Sequence, residues 1–128
     1  MRLIGPGLLL GLALSAPVAA QAPAEQRFPD VIAAKATPRG GDRYDFDVTI
    51  SSKYDTPQRY ADAFRILGAK GEVYGERILL HDHADEQPFT RDLYGVVVPA
   101  GVTLVVVQAR DLRHGYGGRT LELALPGR

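Results

Sequence analysis

Two histidines, His81 and His83, stand two residues apart in a run that also holds Asp82, Asp85, Glu86 and, at its end, Arg91. Imidazoles and carboxylates are the groups that bind Zn²⁺ or Cu²⁺ and exchange protons near neutral pH, so chemistry is most concentrated here. The third histidine, His114, lies in a second unusual stretch, Arg110-Asp111-Leu112-Arg113-His114-Gly115-Tyr116-Gly117-Gly118. An extended backbone through 81–83 puts the two rings on one face and Asp82 on the other. Joined by Asp85 and His114, the pair makes an N/O site for Zn²⁺ or Cu²⁺. A second reading takes His81, His83, Arg91, Arg113, His114 and Tyr116 as a surface that binds a ligand or a partner. Gly115, Gly117 and Gly118 permit backbone shapes that hold the Tyr116 ring outward, although a hairpin turn needs the same glycines. A third reading needs no ligand. Arg91, Arg113 and Arg119 each offer a fork that matches a carboxylate, and Asp82, Asp85, Glu86 and Asp111 are close enough in sequence to accept it.

Several other chemistries are excluded by residue type. The chain has no cysteine, and its single methionine is Met1, so soft Cu(I) sites and iron–sulfur clusters have no ligands. Beyond residue 20 the serines are Ser51 and Ser52, and no G-x-S-x-G elbow surrounds them. The glycine-rich stretch leads from one strand to another, so it lacks the helix N-terminus used to hold phosphate. Asp82 and Glu86 are an acid and base by type, but nothing around them signals a cleft that would desolvate them. A non-catalytic protein is therefore expected, with no cofactor other than the metal of the first reading.

The elements that must position these residues begin after an export signal. Arg2 is a short positive region, 3–14 is apolar, and Val18-Ala19-Ala20 before Gln21 is a small-residue cleavage pattern, which predicts a signal peptide over 1–20. The apolar stretch is shorter than the ~20 residues that span a bilayer, so no membrane span is expected in the mature chain. Residues 21–29 read as a flexible polar leader, and 30–126 as one domain. With Arg2 removed the charges nearly balance, which leaves neither a nucleic-acid footprint nor a polybasic patch. The chain thus reads as exported, periplasmic or secreted, its partner an unidentified protein or small ligand of the cell envelope.

Short apolar alternations separated by turn residues predict an all-β domain. Strands are expected at 30–37, 44–50, 60–67, 72–80, 89–98, 103–110 and 120–125. The clearest is the second, where Tyr44, Phe46, Val48 and Ile50 alternate with Asp45, Asp47 and Thr49. The region 57–67 also fits a helix, with Thr56 as cap, Pro57 in the first turn and Gly68 as stop. A strand accounts better for the compact turn 68–71 and the extended residues after it. An irregularity is expected at Gly75.

Seven short strands in about 100 residues indicate a two-sheet sandwich. The stretch Pro99-Ala100-Gly101-Val102-Thr103-Leu104-Val105-Val106-Val107-Gln108-Ala109 resembles the fibronectin type III signature, with Val105, Val107 and Ala109 at the inward positions. Thr103 stands where that family usually carries a tyrosine, and the chain has no tryptophan for the usual core position. The resemblance covers one strand and a turn and implies an immunoglobulin-like (fibronectin III-like) sandwich of about seven antiparallel strands. The run 81–91 together with His-Gly-Tyr-Gly-Gly also resembles small exported bacterial proteins of unassigned function. Strands running alternately up and down place the connections 51–59, 81–88 and 111–119 at one end, with all three histidines. The short turns 38–42, 68–71 and 99–102 fall at the other. Recognition loops commonly gather at one end of such a scaffold, so function is expected there.

Overall fold

The computed structural model describes residues 2–3, 5–8, 10–15 and 25–128. The cleavage pattern 18–20 and residues 21–24 of the expected leader lie outside the described residues. Seven strands follow: β1 (Asp30–Gly40), β2 (Arg43–Ser51), β3 (Ala61–Leu67), β4 (Val73–Ile78), β5 (Phe89–Val97), β6 (Leu104–Asp111) and β7 (Gly115–Ala124). They pair antiparallel in two sheets, β1-β2-β5 and β4-β3-β6-β7. The protein is an all-β sandwich.

Alternation decides which face each strand buries. Tyr44, Phe46, Val48 and Ile50 of β2 meet Val105, Val107 and Ala109 of β6 in one apolar core, joined by Phe64, Ile66 and Phe89. Phe46, Phe64, Phe89, Ile50 and Ile66 are fully buried, and burying each contributes about 1.5–3 kcal/mol. With no disulfide available, this packing and the polar ties at the loop end hold the sheets together.

The segment 61–67 is a strand, not a helix. Its central position between β4 and β6 lets it bury Ala61, Ala63, Phe64 and Ile66, and the Thr56 and Arg59 backbones bond to each other in a tight turn before it. The irregularity near Gly75 falls at Tyr74, since Ile66 pairs with Gly75 and Leu67 with Val73. Gly75 itself is where the two sheets come close: a Cβ there would lie 3.1 Å from both Leu93 and Val96 of β5. Three boundaries differ from expectation by more than one residue. β1 runs on to Gly40 rather than ending at residue 37. β4 ends at Ile78 rather than at residue 80. β7 begins at Gly115, so the sixth connection is only 112–114. The cause is pairing of Tyr116 with Arg110 and of Gly115 with Asp111, made possible by the positive φ of Gly115, 82°, which only glycine adopts without strain.

The residues just before β1 are docked on the sandwich. The Gln26 side-chain amide donates to the carbonyl oxygens of Ser51 at 2.9 Å and Phe28 at 3.0 Å, and Pro29 is fully buried. The Phe28 ring lies directly over Gly117, where any Cβ would collide with it, and at Gly118 a Cβ would collide with the Pro29 carbonyl oxygen. Gly117→Val is expected to displace this ring and destabilise the fold by about 1–3 kcal/mol, the usual cost of overpacking. Limited trypsin digestion should then cut after Arg27 faster than in the wild type; unchanged cleavage would mean that Phe28 does not hold the segment down.

Candidate functional site

The two long connections, 52–60 and 79–88, and the short 112–114 turn meet at one end of the sandwich. Asp55, only 5% exposed, binds the first two together. Its Oδ1 accepts the Ala61 N–H at 3.1 Å and its Oδ2 accepts the His83 N–H at 3.0 Å. Beside it, the Ser52 N–H donates to Gln87 Oε1 at 2.8 Å, while Gln87 Nε2 donates to Ser52 Oγ at 3.2 Å and to the His83 carbonyl at 3.0 Å. Loop backbone that would otherwise be orphaned on burial is thereby satisfied, and the histidine-bearing loop is fixed on the scaffold.

On this platform the His83 ring stacks on Phe89, with centroids 3.9 Å apart and planes at 12°. His83 is 6% exposed, and its Nδ1 is buried without a hydrogen-bond partner. The exposed His81 ring lies 5.0 Å away, and its Nδ1 is 2.9 Å from the Asp82 carbonyl. Arg91 reaches back from β5 to grip Glu86 with both terminal nitrogens, at 3.1 and 3.2 Å. That is the knitted loop foreseen for Arg91, and it holds the Glu86 carboxyl below its ordinary range through the Arg91 hydrogen bonds.

Burial pushes the His83 pKa below its ordinary value, and the positive charges of Arg91 and His81 push the same way, against weaker opposite effects of Asp55 and Glu86. A histidine held neutral in the fold but free to protonate when unfolded contributes full stability above about pH 6.5. That contribution is lost as the pH falls from there through the lower folded pKa. His83→Phe is expected to flatten the stability–pH curve below about pH 6.5. Urea unfolding at stepped pH measures it, and an unaltered slope would count against a neutral buried His83.

His114 belongs to a different cluster. Its ring meets Phe28 edge-on at 6.1 Å, and it lines a shallow hollow with Glu25, Arg27 and Arg59. Arg59 is the centre of this group. Its guanidinium lies 3.1 Å from the fully buried Asp111 through Nε, 4.0 Å over the Tyr54 ring, and 3.1 and 2.5 Å from the carbonyls of Gln26 and Arg27. The Nε–Oδ1 contact is an ion pair without hydrogen-bond alignment. Asp111 Oδ2 accepts the N–H groups of Arg113 and His114, both at 2.9 Å. Burial raises the Asp111 pKa, yet Tyr54, those two N–H groups and Arg59 together outweigh it and leave the carboxyl below its usual range. The Tyr54 phenol is pushed up, by burial first and then by Asp111.

Tyr116 occupies a third place. It is a β7 residue on the four-stranded sheet, not a loop tip, because pairing with Arg110 draws it into the ladder. The Arg65 guanidinium covers its ring at 3.6 Å, and its hydroxyl donates to Glu76. Burial, then Glu76, raises its pKa. Arg110 grips Asp62 at 2.8 and 3.0 Å, and Arg65 grips Gln108 at 3.1 and 2.8 Å, so this face is internally satisfied.

The six candidate binding residues therefore fall into separate groups. His81, His83 and Arg91 converge, with Asp85 on the same loop; His114 and Arg113 stand at the Arg59–Asp111 pair; Tyr116 lies on the sheet. The strand order β4-β3-β6-β7 puts β3 between the strand that leads to 79–88 and the strand that leads to 112–114, while Tyr116 on β7 crosses the sheet face to Glu76 on β4. Among the described residues no group of three or more His, Asp or Glu side chains is disposed to hold a metal ion. Asp55, Gln87, Ser52 and Arg59 organise the end, yet none is among the binding residues expected from the sequence. Asp55 and His83 are 28 residues apart, and no local pattern marks such a pairing.

No family model matches the chain, and no solved structure does. A protein of Halomicrobium mukohataei named "Putative lipoprotein" is 40% identical over 82 residues, which cover 64% of this chain. The match spans only 40% of that relative's length.

Proposed function

We propose that the chain is an exported, envelope-associated and non-catalytic β-sandwich of the immunoglobulin-like class, whose binding surface is the loop end carrying His81, His83 and Arg91. Three strands facing four, with inward Val105, Val107 and Ala109, support the fibronectin III-like assignment. The name of the H. mukohataei relative supports an envelope location.

The observation that carries the binding assignment is the His83 imidazole, a polar ring buried without a partner at Nδ1 on a loop that four side-chain hydrogen bonds fix in place. Unsatisfied buried polar groups are rare in folded proteins and call for an explanation, of which a ligand is one. With two imidazoles and no third donor grouped with them among the described residues, a Zn²⁺ or Cu²⁺ site is the weaker reading of the same end.

A photo-crosslinking side chain placed at the exposed Asp85 should capture envelope material that the same side chain at Lys70, at the opposite end, does not. Equal capture from the two ends, or none from Asp85, would sink the assignment.

A further inference from the structure

We infer that the hollow beside His83 binds the carboxylate of a short aliphatic acid; this deepens the proposed binding role and depends on it. The hollow, about 150 Å³, is lined by Arg77, Ile78, Leu79, Leu80, His81, His83 and Arg91. Four of these side chains carry or can carry positive charge, three are aliphatic, and none is acidic. The space suits a small acid rather than a bulky one. A carboxylate head on an aliphatic tail matches both halves of the lining, whereas a cation meets only like charge and a neutral hydrocarbon leaves the polar half unpaired.

The aliphatic half is already open to solvent. Leu80 is 82% exposed and Ile78 47% exposed, so a tail laid across them buries surface that the fold leaves wet. At the polar half, the exposed His81 ring 5.0 Å from His83 and the Arg77 and Arg91 guanidiniums offer N–H donors to an acid oxygen. The positive influence of Arg91 and His81 on His83 is the field an anion would enter. The two arginines are also held as a bound acid would need them. Arg77 is anchored from behind by the Asp92 carbonyl and carboxylate, both at 2.6 Å. Arg91 is held by Glu86, whose side chain is 55% exposed. Glu86 therefore acts as an internal occupant of Arg91 that an incoming carboxylate replaces or shares.

Titration of the full-length chain with pentanoate, followed by amide NMR shifts, tests this. Shifts should be confined to residues 77–91, with dissociation near about 1 mM for a ligand of this size. Pentanol, which keeps the tail without the charge, and acetate, which keeps the charge without the tail, should each bind at least about tenfold more weakly, since each loses one set of contacts. Glu86→Gln should tighten pentanoate binding several-fold, and Arg91→Gln should abolish it while the rest of the spectrum keeps its folded dispersion. An acetylated tripeptide ending in leucine tells a free acid from a peptide terminus as the source: tighter binding than pentanoate assigns the carboxylate to a peptide.

Equal binding of pentanol, no effect of Glu86→Gln, or no pentanoate binding to either form overturns the inference. If Asp85 crosslinking succeeds while pentanoate fails, the binding end stands and this ligand class falls.

Discussion

Arg59→Leu is expected to lower the unfolding free energy by about 3–5 kcal/mol, the cost of removing one partner from a buried ion pair. Asp111 is fully buried, and without the guanidinium its charge would be met by neutral groups alone, the Tyr54 phenol and the N–H groups of Arg113 and His114. The same substitution frees the carbonyls of Gln26 and Arg27 and uncovers the Tyr54 ring, so the segment before β1 loosens as well. Urea denaturation measures the loss, and Arg59→Leu combined with Asp111→Asn should recover part of it, because a neutral amide no longer requires a counter-charge. A loss under about 1 kcal/mol, the range of surface pairs, would show that the ion pair is not a structural tie.

The pH dependence of this pair has a definite sign. The Asp111 carboxyl is lowered in the fold, so its contribution is complete above its unfolded value near 3.8 and disappears as the pH falls through the folded pKa. In Arg59→Leu that carboxyl loses a lowering influence, and the acid limb of the stability curve should move to higher pH.

Asp55→Ala is expected to cost about 3 kcal/mol, since hydrogen bonds to charged groups contribute about 1.5–3 kcal/mol each and the Ala61 and His83 N–H groups would both be left buried without acceptors. Its effect is local as well as global. Amide exchange at Ala61 and His83 should accelerate well before the β2–β6 core does, and the His83–Phe89 stack should lose its fixed geometry. Asp55→Asn, which keeps one acceptor oxygen, should lose about half as much. If Asp55→Ala instead unfolds with the wild-type midpoint and leaves the His83 amide protected, the loop is held by Gln87 alone.

Much of the scaffold was legible because its signals are local. The two-residue alternation in 44–50 and 103–110 has one physical cause, the pleat that sends successive side chains to opposite faces. It places Phe46, Val48, Val105 and Val107 in the core without reference to any partner. β3 was less legible. Ala61, Asp62, Ala63 and Phe64 are all buried, since the register shifts between Ala61 and Ala63 and Arg110 covers Asp62 on the other face. β7 was misplaced at its start for a related reason: glycines mark turns and strand irregularities alike, and pairing with Arg110 and Asp111 settled which applied.

The candidate site divides the same way. Glu86 and Arg91 are five residues apart, and their pairing follows from reach alone. Arg59 and Asp111, or Asp55 and His83, have no such proximity, and only the joining of two sheets brings them together.

By itself, then, the sequence determined an all-β chain, the strand-by-strand choice of buried faces, and the end of the sandwich to which the histidines go, because those follow from periodicity and from strands that alternate in direction. Tertiary structure alone decided that His81 and His83 share a place with Arg91 while His114 and Tyr116 do not. His114 is drawn to Phe28 and Tyr116 to Arg65 and Glu76, contacts that exist only because strands distant in the chain are laid side by side.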